Sequence, residues 1–450
     1  MIKTFYTYSF GCRVNQAEKE VIDKEMRDNG YEINDRKPDM AIINTCAVTH
    51  KAEREAKQLI FRLRRENSKG KIVITGCSAT YWKKNNLLKD VPIDLIVDNI
   101  NKKFLVKILQ KRLTSQAQHN RGGYVTGGRG NLKNKYLNSG RALIKIQDGC
   151  QRFCSYCIVP YLRGTPKSET IKSILSRISS YAKASEDKKN LELRIKKYEG
   201  KVNEVILTAI NTESFGLDTG ETLIQLIQLI LTDSTISRIS FGSIHPWSIN
   251  DEFIRYYNQI LPLKRLVNFF HIPIQSGSNK ILKLMKRGYT KEEIMSKLIE
   301  IRKLNPFALI ATDVIVGFLD ESDKDFQETY DFLEKSPISK FHIFRFSKRD
   351  NTTAHYMAKN LKEPTHHEKM KRAKILTKLG KEKYERFLQK NVGRTSSVLF
   401  LNNKFDGYQE ALLDNQLPIY IKITKPIQLD QLYVAKILEC KKGKLFGKLI

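Results

Sequence analysis

The sequence predicts an α/β protein in three parts: an N-terminal parallel-sheet α/β domain, a central partial β/α barrel and a C-terminal small β-barrel. Three observations predict it. Short apolar runs alternate with amphipathic stretches over the first hundred or so residues, the alternation returns from Arg141, and after Gly393 it gives way to short alternating strands. Strands interleaved with helices imply a parallel sheet covered by helices, while a run of short strands implies a small barrel. At 450 residues, the chain is too long for one ordinary core.

In the first part, residues 1–112, strands are expected at Thr4 to Ser9, Met40 to Asn44, Lys71 to Thr75 and Ile93 to Val97. Helices are expected at Gln16 to Asp28 and from about Ala52 to Glu66. Residues 113–140 are rich in Gly, Asn, Ser and basic residues, include the pair Gly127-Gly128, and read as a linker. In the second part, residues 141–365, six strands are expected: Ala142 to Gln147, Glu204 to Thr208, Arg238 to Phe241, Leu266 to Ile274, Leu309 to Val316 and Lys340 to Phe346. The helices between them include Ser168 to Lys183, Thr222 to Leu231, Asn279 to Met285 and Lys291 to Leu304, a pattern of crossovers that suggests part of a β/α barrel. The last part, residues 366–450, opens with a basic amphipathic helix, His366 to Lys390, with Ile375, Leu379 and Leu388 on its apolar side. Strands at Ser397 to Leu401, Pro418 to Ile423 and Gln431 to Leu438 follow.

The 79 Lys and Arg against 48 Asp and Glu give a formal net charge of +31. A charge of this size attracts polyanions, which makes nucleic acid the leading partner class. Six lysines crowd the basic helix, Lys369, Lys371, Lys374, Lys378, Lys381 and Lys383, and read as a phosphate-tracking surface. No apolar run reaches membrane-spanning length. Met1 to Phe10 lacks the features of a secretory signal, so a cytoplasmic location is expected.

The seven cysteines are Cys12, Cys46, Cys77, Cys150, Cys154, Cys157 and Cys440. An odd number without a secretion signal argues for thiolate metal ligands over disulfides. Cys12, Cys46 and Cys77 each sit just past an expected strand, so a parallel sheet would bring them to its carboxyl edge, where ligands bind. Three unrelated buried cysteines are the competing reading. Three thiolates suit iron–sulfur or zinc. Cys150, Cys154 and Cys157 fall within eight residues directly after a strand. Such spacing wraps a loop around one compact inorganic centre, with a structural zinc knuckle as the alternative. Cys440 is most simply a small core residue.

Cys-x-x-x-Cys-x-x-Cys after the first strand of a barrel resembles the radical S-adenosylmethionine enzymes, and Tyr156, the aromatic before the third cysteine, fits their pattern. The resemblance implies that this triad ligates a [4Fe–4S] cluster whose open iron chelates S-adenosylmethionine. Gly11-Cys12-Arg13-Val14-Asn15, Asn44-Thr45-Cys46, Thr75-Gly76-Cys77 and Cys157-Ile158-Val159-Pro160-Tyr161-Leu162-Arg163-Gly164 narrow the resemblance to the methylthiotransferases. His271-Ile272-Pro273-Ile274-Gln275-Ser276-Gly277-Ser278 and Thr312-Asp313-Val314-Ile315-Val316-Gly317-Phe318 add to it.

That likeness covers nearly the whole chain and implies a methylthiotransferase domain, a radical barrel and a TRAM-like RNA-binding barrel. It further implies a second [4Fe–4S] cluster on Cys12, Cys46 and Cys77, with a sulfur donor and an electron donor as partners. One S-adenosylmethionine would methylate a sulfur held at that cluster, and another would be cleaved to a radical that takes hydrogen from the substrate base. The stretch Asn44 to Arg54 is most similar to the branch acting on C2 of N6-threonylcarbamoyladenosine at position 37 of tRNA. Enzymes acting on isopentenyladenosine tRNA or on a ribosomal protein share both triads and stay open. A non-catalytic metal-stabilised RNA-binding protein is a third class.

Three places depart from the family pattern. His245 stands where Glu is usual, Leu319-Asp320-Glu321 replaces Pro-Gly-Glu, and Asp350-Asn351-Thr352 replaces a Pro-Gly-Thr-like run. Beyond the cluster ligands no catalytic residue is assigned. Candidates for the S-adenosylmethionine site are Tyr156, Asn211, Gln275 and Asp313, with Glu213 beside Asn211. Arg163 and Lys167 are candidates to meet the cofactor carboxylate or an RNA phosphate.

Overall fold

The structure is a computed structural model that describes residues 2–114, 140–183, 202–424, 426–429 and 431–450. The expected linker, apart from its ends, lies outside these residues. The chain forms two compact units.

The first unit contains residues 2–114 together with Asp148–Arg152 and Cys157–Pro166. Five parallel strands lie in the order Glu32–Ile33, Thr4–Ser9, Met40–Thr45, Lys71–Gly76, Leu95–Val97. The central strand Met40–Thr45 is buried along its whole length, as its nearly continuous apolar run requires. Alternate side chains feed two cores. Tyr6, Ile43 and Ile74 pack against Leu59, Ile60 and Trp82 on one face. Phe5, Ile42 and Val73 pack against Ile22, Met26 and Leu109 on the other. Sequence periodicity missed the strand Glu32–Ile33, whose two exposed residues carry no pattern. It also missed the helices Cys77–Lys84 and Leu105–Thr114.

The second unit contains residues 140–147, 153–156, 167–183 and the described residues from 202 onward. All six expected barrel strands are present. Arg141–Asp148, Glu204–Ala209 and Arg238–Phe241 pair in parallel, as do Phe269–His271, Leu309–Val316 and Lys340–Arg345. A parallel bridge from Ile239 to Leu266 joins the two sets. One face of these strands, including Ile144, Leu207, Phe241, Phe270 and Val314, packs on the surrounding helices. The side chains between them point to the barrel interior.

At the C-terminus, the helix His366–Lys390 leads into a closed barrel of strands Thr395–Phe405, Tyr408–Leu413, Pro418–Ile421, Lys444–Leu449 and Leu432–Lys441, in that spatial order. Its core is continuous with Val267, Phe269, Leu309 and Ala311 of the larger barrel. Polar contacts complete the junction: Arg238 donates to the carbonyls of Ser397 (2.7 Å) and Leu412 (3.2 Å), and Gln416 donates to Glu204 (2.7 Å). Since Arg238 and Glu204 open their strands, the small barrel closes the amino-terminal end of the larger one.

The basic helix departs from its expected role at two of its six lysines. Lys369 is 7% exposed and turns inward to Glu363 and the Phe346 carbonyl. Lys383 donates to the carbonyls of Leu333 (2.6 Å), Glu334 (2.7 Å) and Ser336 (2.7 Å), capping the helix Asp323–Lys335. Both spend their charge inside the fold. Lys371, Lys374, Lys378 and Lys381 remain on the surface.

Candidate functional site

In the first unit, Cys12, Cys46 and Cys77 follow the strands ending at Ser9, Thr45 and Gly76. The strand order puts the topological switch point between Thr4–Ser9 and Met40–Thr45, so Cys12 and Cys46 flank the crevice where open sheets bind ligands. Two glycines permit the close approach. Gly11 and Gly76 have φ of 80° and 96°. A Cβ at Gly11 would strike Cys46 Sγ, and one at Gly76 would strike the Thr45 carbonyl.

The polar residues of these motifs lock the loops together. Asn15 Nδ2 donates to the carbonyls of Phe10 and Thr45, both at 2.9 Å, and Asn44 Nδ2 donates to the Asn15 carbonyl at 3.0 Å. Thr45 Oγ1 donates to the Thr75 carbonyl at 2.7 Å and accepts from the Ala79 amide at 2.8 Å.

The three sulfurs interact. A hydrogen bond from Cys46 pulls the Cys12 thiol down to about 6 against the effect of burial, with Arg163 adding to the pull. Cys46, as the donor and a buried group, is raised well above its ordinary value. Cys77 Sγ accepts from Asn99 Nδ2 and from Arg163 Nε, each at 3.2 Å. Two N–H donors converging on one sulfur suit a thiolate better than a thiol. Behind them Lys102 donates to Glu18 at 2.6 Å and to Asn44 at 3.2 Å, and Arg163 pairs with Glu18 at 2.9 Å. Glu18, Asn99 and Lys102 escaped the sequence reading. They belong to no motif there, and only the fold carries them to the sheet edge.

Arg163 is not free for a cofactor or for RNA. Its side chain is 1% exposed and bonded within the first unit. Lys167 is exposed.

The loop of the second triad is divided between the units: Cys150 and Cys157 pack with the first and Cys154 with the second. None of the seven cysteines is in a disulfide. In the first unit the Cys150 amide donates to the Gly164 carbonyl at 3.1 Å, and Gly149 takes φ of 74° where a Cβ would meet Thr165. In the second, the Ser155 amide donates to the Met285 carbonyl at 3.0 Å and Ser155 Oγ to the Leu284 carbonyl at 2.8 Å. Arg287, 4% exposed, donates to Cys154 Sγ and the Tyr156 hydroxyl, both at 3.3 Å. It also donates to the Pro273 carbonyl at 2.9 Å and stacks over Trp247 with its carbon 4.5 Å from the ring centroid.

The remaining candidates lie in the second unit. Asn211 is 1% exposed, and its side chain serves its own loop, accepting from the Glu213 amide and donating to Ser214 Oγ at 2.9 Å. Gln275 has φ of 74° and is paired through its backbone with Asp313 and Ile315. Asp313 Oδ1 accepts from His271 Nε2 at 2.9 Å and His342 Nδ1 at 3.2 Å, on three adjacent strands. Burial raises this carboxyl, but the two histidine hydrogen bonds outweigh it and hold it below the usual carboxylate range. Periodicity marked Asp313 as a polar residue needing a partner without naming the histidines.

Two of the departures from the family pattern fall at left-handed backbone positions. Asp320 (φ 58°) and Asn351 (φ 63°) stand where Gly is usual and hold left-handed conformations that Asp and Asn tolerate well. His245 interacts with Thr212 through Nδ1 and Oγ1 at 3.3 Å and stacks on Trp247. Glu321, pushed up to about 7 by burial, accepts from the Gly317 amide (2.6 Å) and Arg372 (2.7 Å).

On the small barrel, Phe405, Tyr420, Phe446 and Tyr408 form a run of rings with centroids 5.4, 5.8 and 5.2 Å apart. Lys444 lies over Phe405 and Tyr420. Aromatic faces beside lysine are the features on which single-stranded nucleic acid stacks.

The Uncharacterized protein family UPF0004 matches residues 4–98, and the Radical SAM superfamily matches residues 144–333. The chain is 32% identical to the threonylcarbamoyladenosine tRNA methylthiotransferase MtaB of Aquifex aeolicus, covering 90% of this chain and 97% of that protein. It is 29% identical to the protein of the same name from Bacillus subtilis, covering 96% and 93%. It is also 32% identical to the tRNA-2-methylthio-N(6)-dimethylallyladenosine synthase of Petrotoga mobilis, covering 99% of each.

Proposed function

This chain belongs to the radical SAM methylthiotransferase family, in its MtaB branch, and on that premise we propose that it adds a methylthio group to C2 of N6-threonylcarbamoyladenosine at position 37 of tRNA. The observation that carries the reading is the placement of two separate cysteine triads, one at the carboxyl edge of a parallel sheet and one directly after the first strand of a partial barrel. The family implies a [4Fe–4S] cluster and S-adenosylmethionine.

Cys150, Cys154 and Cys157 would hold that cluster, and Cys12, Cys46 and Cys77 a second one. The surroundings fit thiolate ligands: Arg287 donates to Cys154, and Arg163 with Asn99 donates to Cys77. When bound, cluster and cofactor supply one-electron reduction and radical initiation, which an unactivated carbon–hydrogen bond demands. The protein residues orient and enclose. Arg287 anchors Cys154 and Tyr156, Gln147 Oε1 holds the Asn211 loop by accepting from the Asn211 backbone amide at 2.9 Å, and the small barrel closes one end of the larger barrel. Among the four cofactor-site candidates, Tyr156, beside Arg287, and the half-buried Gln275 keep that role in this reading. Asp313 lines the interior with its two histidines, and Asn211 shapes its loop.

Net charge, exposed helix lysines and the ring cluster on the small barrel support tRNA as the substrate, which would place the protein in the cytoplasm. Among the described residues no helix is long and apolar enough to cross a membrane. The similarity to a dimethylallyladenosine synthase supports isopentenyladenosine tRNA as the second reading. Mass spectrometry of nucleosides from tRNA of a deletion strain tests both. Loss of the methylthio group from threonylcarbamoyladenosine alone is expected, and its loss from isopentenyladenosine alone would transfer the assignment to the second reading.

A further inference from the structure

The five N–H groups of Arg163 are all engaged inside the first unit, and one of them is spent on sulfur. Nη1 donates to Glu18 Oε1 at 2.9 Å and Asp148 Oδ1 at 2.8 Å. Nη2 donates to Asn15 Oδ1 at 2.7 Å and Glu18 Oε2 at 3.5 Å. Nε donates to Cys77 Sγ at 3.2 Å. A buried arginine whose task was only to hold the fold would use carboxylates and carbonyls, which accept far better than sulfur.

A second donor, Asn99 Nδ2, reaches the same sulfur at 3.2 Å from a different segment of the chain, and its backbone amide is fixed by Thr80 Oγ1 at 2.9 Å. Two independent elements thus aim N–H groups at one cysteine. Hydrogen bonds to ligand sulfur withdraw charge from an iron–sulfur centre and make it easier to reduce.

The arginine is also tied to the second triad. Asp148, its ion-pair partner, lies two residues before Cys150, and the Cys150 amide donates to the carbonyl of Gly164, the residue after Arg163. The start of that cysteine loop is therefore held by the side chain that touches Cys77 and by the backbone next to it.

We infer that Arg163 and Asn99 are positioning residues that set the reduction potential of the centre on Cys12, Cys46 and Cys77 by donating to the Cys77 sulfur. The inference rests on the reading that this triad holds a cluster. The test uses the full-length chain carrying Cys150→Ala, Cys154→Ala and Cys157→Ala, so that one centre remains. Iron and sulfide are counted, and the midpoint potential is read by EPR-monitored titration. Asn99→Ala, which disturbs no buried charge, and Arg163→Lys, which keeps the charge but loses the fork, are then compared with this parent. A more negative midpoint in both variants, with iron retained, is the expected result. Potentials equal to that of the parent would overturn the inference while leaving the cluster reading intact. A folded parent without iron would overturn the cluster reading, and the inference with it.

Discussion

Arg287 Nη1 meets Cys154 Sγ at 3.3 Å although the two residues are 133 positions apart in the chain. Outer hydrogen-bond partners of metal ligands are commonly worth about 10- to 100-fold in metal affinity or activity. Arg287→Lys keeps a cation but cannot serve Cys154, Tyr156, Tyr289 and the Pro273 carbonyl at once. The variant is expected to lose iron faster from the second triad and to form 5′-deoxyadenosine roughly 10-fold or more slowly. Rates equal to wild type would remove Arg287 from the supporting set.

The two triads are expected to fail differently. With Cys150, Cys154 and Cys157 all changed to Ala, about half the iron should remain, as one four-iron cluster of two, and reductive cleavage of S-adenosylmethionine should vanish. With Cys12, Cys46 and Cys77 changed to Ala, dithionite should still drive formation of 5′-deoxyadenosine, but no methylthio product should appear. Product analysis and iron counting on anaerobically purified protein check both outcomes.

The C-terminal part is integral to the fold, so tRNA binding is tested on the full-length chain. Deleting residues 366–450 would expose Phe269 and Leu309 and leave Arg238 without its partners, so a truncated chain would report on folding. Point substitutions avoid this. Phe405→Ala and Tyr420→Ala should each weaken binding by about 1–3 kcal/mol if a base stacks there. Removing the exposed Lys371, Lys374 and Lys378 together should flatten the salt dependence by about 0.7 to 0.9 for each phosphate that is no longer neutralised. Lys383→Ala should lower thermal stability instead, because it uncaps the helix Asp323–Lys335. Filter binding at several salt concentrations, with melting curves alongside, separates these effects.

Asp313 gives a pH prediction. Its folded value lies below that of an unfolded carboxyl, so its contribution is fully present above about pH 4 and is lost as pH falls from there through the lower folded value. Asp313→Asn should therefore cost about 1–3 kcal/mol at pH 7. The stability curves of variant and wild type should converge only below about pH 4. Thermal unfolding across that range decides it, and a gap unchanged into acid would show that the histidines do not hold an ionised carboxylate.

The sequence by itself determined most of the element order and singled out the six cysteines proposed as metal ligands. Strand and helix leave periods in hydrophobicity that need no tertiary information, which is why all six barrel strands and the helix His366–Lys390 were legible. Cysteine spacing encodes a loop in the same local way. The tertiary structure decided which polar groups serve those cysteines. Glu18, Asn99, Lys102, Arg163 and Arg287 reach the cysteines or their network only because parallel strands and crossover helices bring distant segments to one sheet edge or loop. It also decided that two of the six helix lysines face inward and that Asp320 and Asn351 do the work of glycine. Charge and residue type are written in the chain. Whether a charge faces water or a carbonyl depends on packing between segments far apart in sequence, and that carries no local period to read.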